Sequence, residues 1–268
     1  MIPMRHITLL TDFGYLDGYP GIMKGVIYSI APSVQIADIT HSIAPQNIQE
    51  GALVLFRSYR YFPAGTIHVA VIDPGVGTNR RPIAMRLGDY FFVGPDNGLF
   101  SPVIFEARKS NDPLQFIHLN RPQYWLPKPS RVFHGRDIFA PVAAHLASGV
   151  PLDALGDPID DPVMIQPDEP IRTPQGWIGK VIAVDHFGNL STNITEAHLA
   201  EMDQIKITVA GHTINGLVKT FGERSPGELI ALIGTDHDLS ISVVNGDAKS
   251  LLGANVGDEI IVEGKSTQ

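Results

Sequence analysis

The chain has 268 residues, 44% hydrophobic and 18% charged, with 26 Gly, 21 Pro, no Cys and a formal net charge of −8. This composition excludes a disordered chain and supports one large domain or two modest ones; the missing cysteines exclude disulfides, Cys-ligated metals and a thiol nucleophile. The acidic balance and scattered basic residues argue against a nucleic-acid partner, and no run reaches the roughly 18 apolar residues of a membrane span. Met1 to His6 lacks the apolar centre of an export signal, so a cytoplasmic protein acting on a small molecule is expected.

Ile7 to Leu10 is a buried-strand run ending in Thr11-Asp12-Phe13-Gly14. From Gly21, the residues Ile22, Met23, Val26, Ile27 and Ile30 recur with helical period until Pro32. Val34 to Ile39 reads as a strand. Asn47, with Glu50 three residues on, starts a helix in capping-box fashion; that helix carries Ala52, Leu53, Leu55 and Phe56 and ends before Pro63. Ile67 to Ile72 is a strand running into Asp73-Pro74-Gly75, and Ile83 to Leu87 and Tyr90 to Val93 form a further pair. Ile138 to Leu146 reads as an amphipathic helix with Pro141 in its first turn, where an N–H is not needed. The alternation predicts an α/β N-terminal domain with a mostly parallel central sheet over residues 1–160. Residues 151–175, rich in Pro and Asp and without period, read as a linker or draped loop, the linker proper being 161–175. Trp177 to Val184, Gln204 to Val209, Thr213 to Val218, Leu229 to Ile233, Leu239 to Val243 and Glu259 to Val262 are short strands. They predict an all-β, barrel-like C-terminal domain over 176–268.

Fragments resembling a protein kinase, Asp12-Phe13-Gly14 and His134-Gly135-Arg136-Asp137, occur in reversed order and without a phosphate loop, so the likeness is coincidental. The ten histidines show no ligand spacing and no metal is expected. A Gly-x-Ser-x-Gly elbow is absent too. Asp12 and Asp73 each follow an apolar strand, where ligands of open α/β sheets bind. A carboxylate there can hold ribose hydroxyls or a water; it can equally just open a turn, as Asp73-Pro74-Gly75 would. Asp137 reads as a cap for the following helix, which leaves His134 unexplained. Asn189, in the turn Asp185-His186-Phe187-Gly188-Asn189, has an amide able to pair with a purine edge, or serves only the turn.

Together these fragments resemble the S-adenosylmethionine hydrolases, also called SAM hydroxide adenosyltransferases, relatives of the fluorinases and chlorinases. The resemblance rests on Leu9 to Gly14 with Asp17-Gly18-Tyr19, His41 to Pro45 with Glu50-Gly51-Ala52, and Val71 to Thr78. It continues through Val93 to Gly98, Phe133 to Asp137, Asp185 to Asn189 and Leu239-Ser240-Ile241. It implies an N-terminal α/β domain, a C-terminal β-barrel, and a homotrimer with each site between subunits. It assigns Asp12 to the ribose hydroxyls, Asp17 and Asp185 to the methionine ammonium, Asn189 to the adenine edge, and Phe133, Phe187 and Phe221 to the substrate-binding walls. The Asp–Arg–His set of the hydrolase branch maps onto Asp73, Arg80 and His134. Arg81 follows directly, so the arginine stands to be chosen between the two.

The halogenating relatives carry Tyr where this chain has Asp73, a halide-binding Ser where it has Gly135, and Thr or Gly where it has Val76. A halide beside the Asp73 carboxylate would be repelled, whereas water would be held. Thr235-Asp236-His237-Asp238 departs from the small-residue loop usual before Leu239. The resemblance therefore implies hydrolysis of S-adenosylmethionine to adenosine and methionine without metal or redox cofactor. A chlorinase-like transfer and a non-catalytic adenosine or S-adenosylmethionine binder are the alternatives.

Overall fold

A computed structural model describes residues 6–266 of the chain; Met1 to Arg5, which carried most of the export-signal reading, lie outside the described residues. The chain divides into two compact units, Met1–Gln166 and Pro167–Gln268, a division that falls inside the stretch rich in Pro and Asp.

The first unit runs β1 (His6–Thr11), α1 (Tyr19–Ile30), β2 (Gln35–Thr40), α2 (Ile48–Ser58), β3 (Ile67–Val71), β4 (Pro82–Leu87), β5 (Tyr90–Pro95), α3 (Ser101–Ser110), β6 (Leu114–His118), α4 (Ala140–Ala147) and β7 (Asp157–Ile159). Its sheet has the order β2-β1-β3-β5-β4-β6-β7. The pairs β1–β2, β1–β3 and β3–β5 are parallel, and the remaining pairs antiparallel, so β4 and β7 run against the other five strands. The strands β1, β2 and β3 are joined through α1 and α2. The strand pair β4–β5 closes through Gly88-Asp89, too short for the crossover that a parallel pair requires. Every residue of β3 is buried, which explains an apolar run interrupted only by His68. Ile67, Val69 and Val71 face a core shared with Met23 and Ile27 of α1 and Val142 of α4, while Ala70 and the following Ile72 face Leu55 of α2 and Val103 of α3. This is the period of two expected of a strand covered on both faces.

Asn47 caps α2 as expected, its side chain accepting the Glu50 N–H at 3.2 Å. Glu50 reaches back to the Asn47 amide and the Ala44 N–H rather than to the Asn47 N–H. The segment read as one helix from Ile138 instead begins with a π-helical turn, Gly135–Phe139, before α4. Asp137 caps nothing: its buried carboxylate accepts from Arg136 and from the Ser130 N–H at 2.7 Å, anchoring the loop before the turn. The first part of the supposed draped loop is docked, with Leu152 and Leu155 buried and β7 paired to β6. Beyond it, Arg81 donates to Asp161 and Asp96, and the Ile165 N–H donates to Ser101.

The second unit contains β8 (Ile171–Thr173), β9 (Gly176–Val184), β10 (Leu190–Thr195), α5 (Glu196–Leu199), β11 (Met202–Val209), β12 (His212–Asn215), β13 (Leu229–Ile233), β14 (Asp238–Val243), α6 (Ala248–Leu252) and β15 (Glu259–Ser266). All its pairings are antiparallel, in the order β12-β11-β15-β9-β10-β14-β13 with β8 beside β9. Its ends nearly meet, since the Val218 N–H after β12 bonds Ala231 of β13, giving the barrel-like form expected.

Candidate active site

Asp12 directly follows β1 and Asp73 lies two residues past β3. These strands are parallel neighbours, so both carboxylates emerge at the same sheet edge. A third segment, Ser130 to Arg136, lies opposite. It is drawn in because Gly77 (φ +78°) has no Cβ, where one would strike the Arg131 carbonyl. The three segments line a cleft of about 530 Å³, with Tyr19, Gln46 and Val76 completing the wall. Phe13, Tyr19 and Phe133 make an edge-to-face trio with ring centres 5.1–6.1 Å apart, a rigid apolar wall.

Asp73, Arg80 and His134 converge. Arg80 grips both Asp73 oxygens, through Nε at 3.0 Å and through Nη2. Nη2 also lies 3.1 Å from His134 Nδ1. A guanidinium only donates, so Nδ1 accepts and the neutral ring carries its proton on Nε2. The two charged side chains are nearly dry, Asp73 being 5% and Arg80 7% exposed, and Phe139 packs beneath the guanidinium. Burial pushes the Asp73 carboxyl above its ordinary pKa, with Arg80 pulling the other way. Burial and the Arg80 charge push His134 down. The cluster therefore holds a basic carboxylate and a neutral imidazole side by side. Arg81 turns away to Asp96 and Asp161, so of the two arginines it is Arg80 that meets Asp73.

The SAM hydroxide adenosyltransferase N-terminal domain model matches residues 7–156, and the corresponding C-terminal domain model matches residues 179–261. The chain belongs to the SAM hydroxide adenosyltransferase family. It is 35% identical to the (R)-S-adenosyl-L-methionine hydrolase of Salinispora tropica, over 98% of this chain and 99% of that protein. A crystal structure of a conserved protein from Thermotoga maritima superposes with a TM-score of 0.88 at 37% identity, covering 97% of this chain and all of that one. The fluorinase of Nocardia brasiliensis is more distant, 28% identical over 76% of this chain and 78% of its own length.

Of the residues the SAM hydroxide adenosyltransferase resemblance singled out, Asp12, Asp73, Phe133 and His134 line the first-unit cleft. Arg80 stands behind Asp73, and Asp17 is exposed in the loop before α1. Asp185, Phe187, Asn189 and Phe221 belong to the second unit. There Asp185 Oδ1 accepts the Phe187 and Asn189 N–H groups at 2.9 Å, and the Asn189 amide donates to Oδ2 at 2.7 Å. That turn leaves Phe187 72% exposed. Sequence reasoning missed Gln46, whose backbone N–H (φ +67°) donates to Asp12 Oδ2 at 2.7 Å. A backbone donor has no side-chain signature, and only the αL conformation, unusual for Gln, marks it. Among the described residues no group of three or more His, Asp or Glu is disposed to hold a metal ion.

Proposed function

We propose that the chain hydrolyses S-adenosyl-L-methionine to adenosine and L-methionine. Water attacks the ribose C5′ in line with the sulfonium. The C5′–O bond forms as the C5′–S bond breaks, the bonding pair passes to sulfur, and methionine leaves as a neutral thioether. The leaving group needs no proton and the reaction calls on neither a metal nor a redox cofactor. The difficulty lies in the nucleophile. Asp73 takes the water proton, its burial making it a better base than an exposed carboxylate; His134 Nε2–H directs the attacking oxygen, and Arg80 keeps both groups aimed and electrostatically poised. Asp12 holds the ribose hydroxyls. The observation that carries this reading is the nearly dry Asp73–Arg80 pair with His134 against it, beside a cleft of substrate size. Its test is reaction in oxygen-18 water: the label is expected on the 5′-oxygen of adenosine. Unlabelled adenosine excludes solvent attack at C5′, and binding without any product favours a non-catalytic binder.

The same reading makes the molecule a cytoplasmic homotrimer in which the second unit of a neighbouring copy supplies Asp185, Asn189 and the exposed Phe187 and Phe221 to the substrate. Light scattering with substrate titration tests it: a catalytically competent monomer would contradict this arrangement.

A further inference from the structure

His41, just after β2, is fully buried and takes no part in the chemistry above. Its Nδ1 lies 2.8 Å from Thr11 Oγ1 and its Nε2 3.1 Å from Asp38 Oδ1; the other Asp38 oxygen accepts from Lys24 Nζ at 2.6 Å. The carboxylate favours the ring proton on Nε2, and burial keeps the ring neutral by lowering its pKa. Nδ1 is then an acceptor and the Thr11 hydroxyl donates to it. The Thr11 oxygen retains a lone pair for the Phe13 N–H, 3.2 Å away. The main chain repeats the grip, because the His41 carbonyl accepts the Gly14 N–H at 2.8 Å. Asp12 and Phe13, both in the cleft wall, are thus bracketed between two attachments to one residue.

We propose that His41 is a positioning residue: through Thr11 it fixes the loop that presents Asp12 and Phe13 to the nucleoside, and so sets substrate affinity rather than the rate of the chemical step. The inference rests on the hydrolase reading for its substrate.

Steady-state hydrolysis by Thr11→Val, His41→Leu, His41→Asn and the double variant Thr11→Val/His41→Leu tests it. Thr11→Val and His41→Leu are expected to raise KM about tenfold (about 1.4 kcal/mol) with kcat changed less than about threefold. His41→Asn, whose side-chain oxygen can stand in for Nδ1, is expected to restore KM to within about threefold, and the double variant to be no worse than either single one. Folded variants with unchanged KM, or with kcat lost at constant KM, overturn the proposal. Should His41→Leu fail to fold, the isosteric Thr11→Val decides alone. If the wild type releases no adenosine from S-adenosylmethionine, the hydrolase reading fails instead. Calorimetry with adenosine then tests the loop separately, with binding to Thr11→Val expected to be about tenfold weaker than to wild type and equal affinities overturning the proposal.

Discussion

Asp73 illustrates how a single side chain acquires a task from its surroundings. In water its carboxylate would be a poor base; here burial strengthens it while the bidentate Arg80 contact keeps it ionised. Asp73→Asn keeps the shape and removes the base, so turnover is expected to vanish while S-adenosylmethionine binds within about tenfold of wild type (about 1.4 kcal/mol), as read by calorimetry and chromatography. Gly135 is a second case. A Cβ there would meet the Phe13 ring and Met23 Sδ at 3.3 Å, so any side chain presses on the aromatic wall. Gly135→Ala is expected to raise KM as Phe13 shifts, read by steady-state hydrolysis; an unchanged KM would show that the wall yields without consequence.

Among the elements, β3 carries a buried histidine that titrates far from its ordinary range. His68 bonds Thr8 of β1 at 2.8 Å within a cage including Tyr59, Tyr90 and Phe92, and burial lowers its pKa from 6.5 to about 3. Between those values the unfolded chain binds a proton that the folded chain refuses, so stability falls as pH drops through 6.5 toward 3. Acidifying from pH 8 to pH 5 is expected to cost about 2 kcal/mol from this residue. Urea unfolding at the two values checks it, with His68→Leu losing that part of the pH dependence. The same strand shows what sequence makes legible: total burial writes an apolar run that only His68 interrupts. By contrast, β10 buries Leu190, Thr192 and Ile194 and leaves Ser191, Asn193 and Thr195 partly exposed, too polar an alternation to stand out. The helix α3 hides likewise behind Ser101-Pro102 and a charged last turn. In the site, Asp12 and Asp73 were readable as strand-end carboxylates. The Asp73–Arg80 pairing comes only through family resemblance, because the irregular loop between β3 and β4 has no period that dictates which of its residues meet.

At the scale of the whole molecule, the formal charge of −8 surrounds a site proposed to take a substrate whose sulfonium and ammonium outweigh its carboxylate. Attraction of that cation is expected to make kcat/KM fall as ionic strength rises, with kcat little changed. Replacing chloride by acetate at constant ionic strength is expected to alter neither value, nor to remove any chlorinated product. A halide 4 Å from the Asp73 carboxylate would be opposed by that charge by about 4 kcal/mol at an effective dielectric of 20, of which the paired Arg80 cation offsets a part. Chloride-dependent products would move the chain to the halogenating branch.

The π-helical turn has one further consequence. Its Ala140 N–H reaches back five residues to the Gly135 carbonyl, so the segment holds one residue more than a regular α-helix would need. Deleting a residue between 135 and 139 would regularise the backbone, yet swing what precedes by about 100° around the axis and carry the imidazole of His134 off the guanidinium. The extra residue works as a phase shifter: local irregularity is the condition on which the His134 ring points where it does.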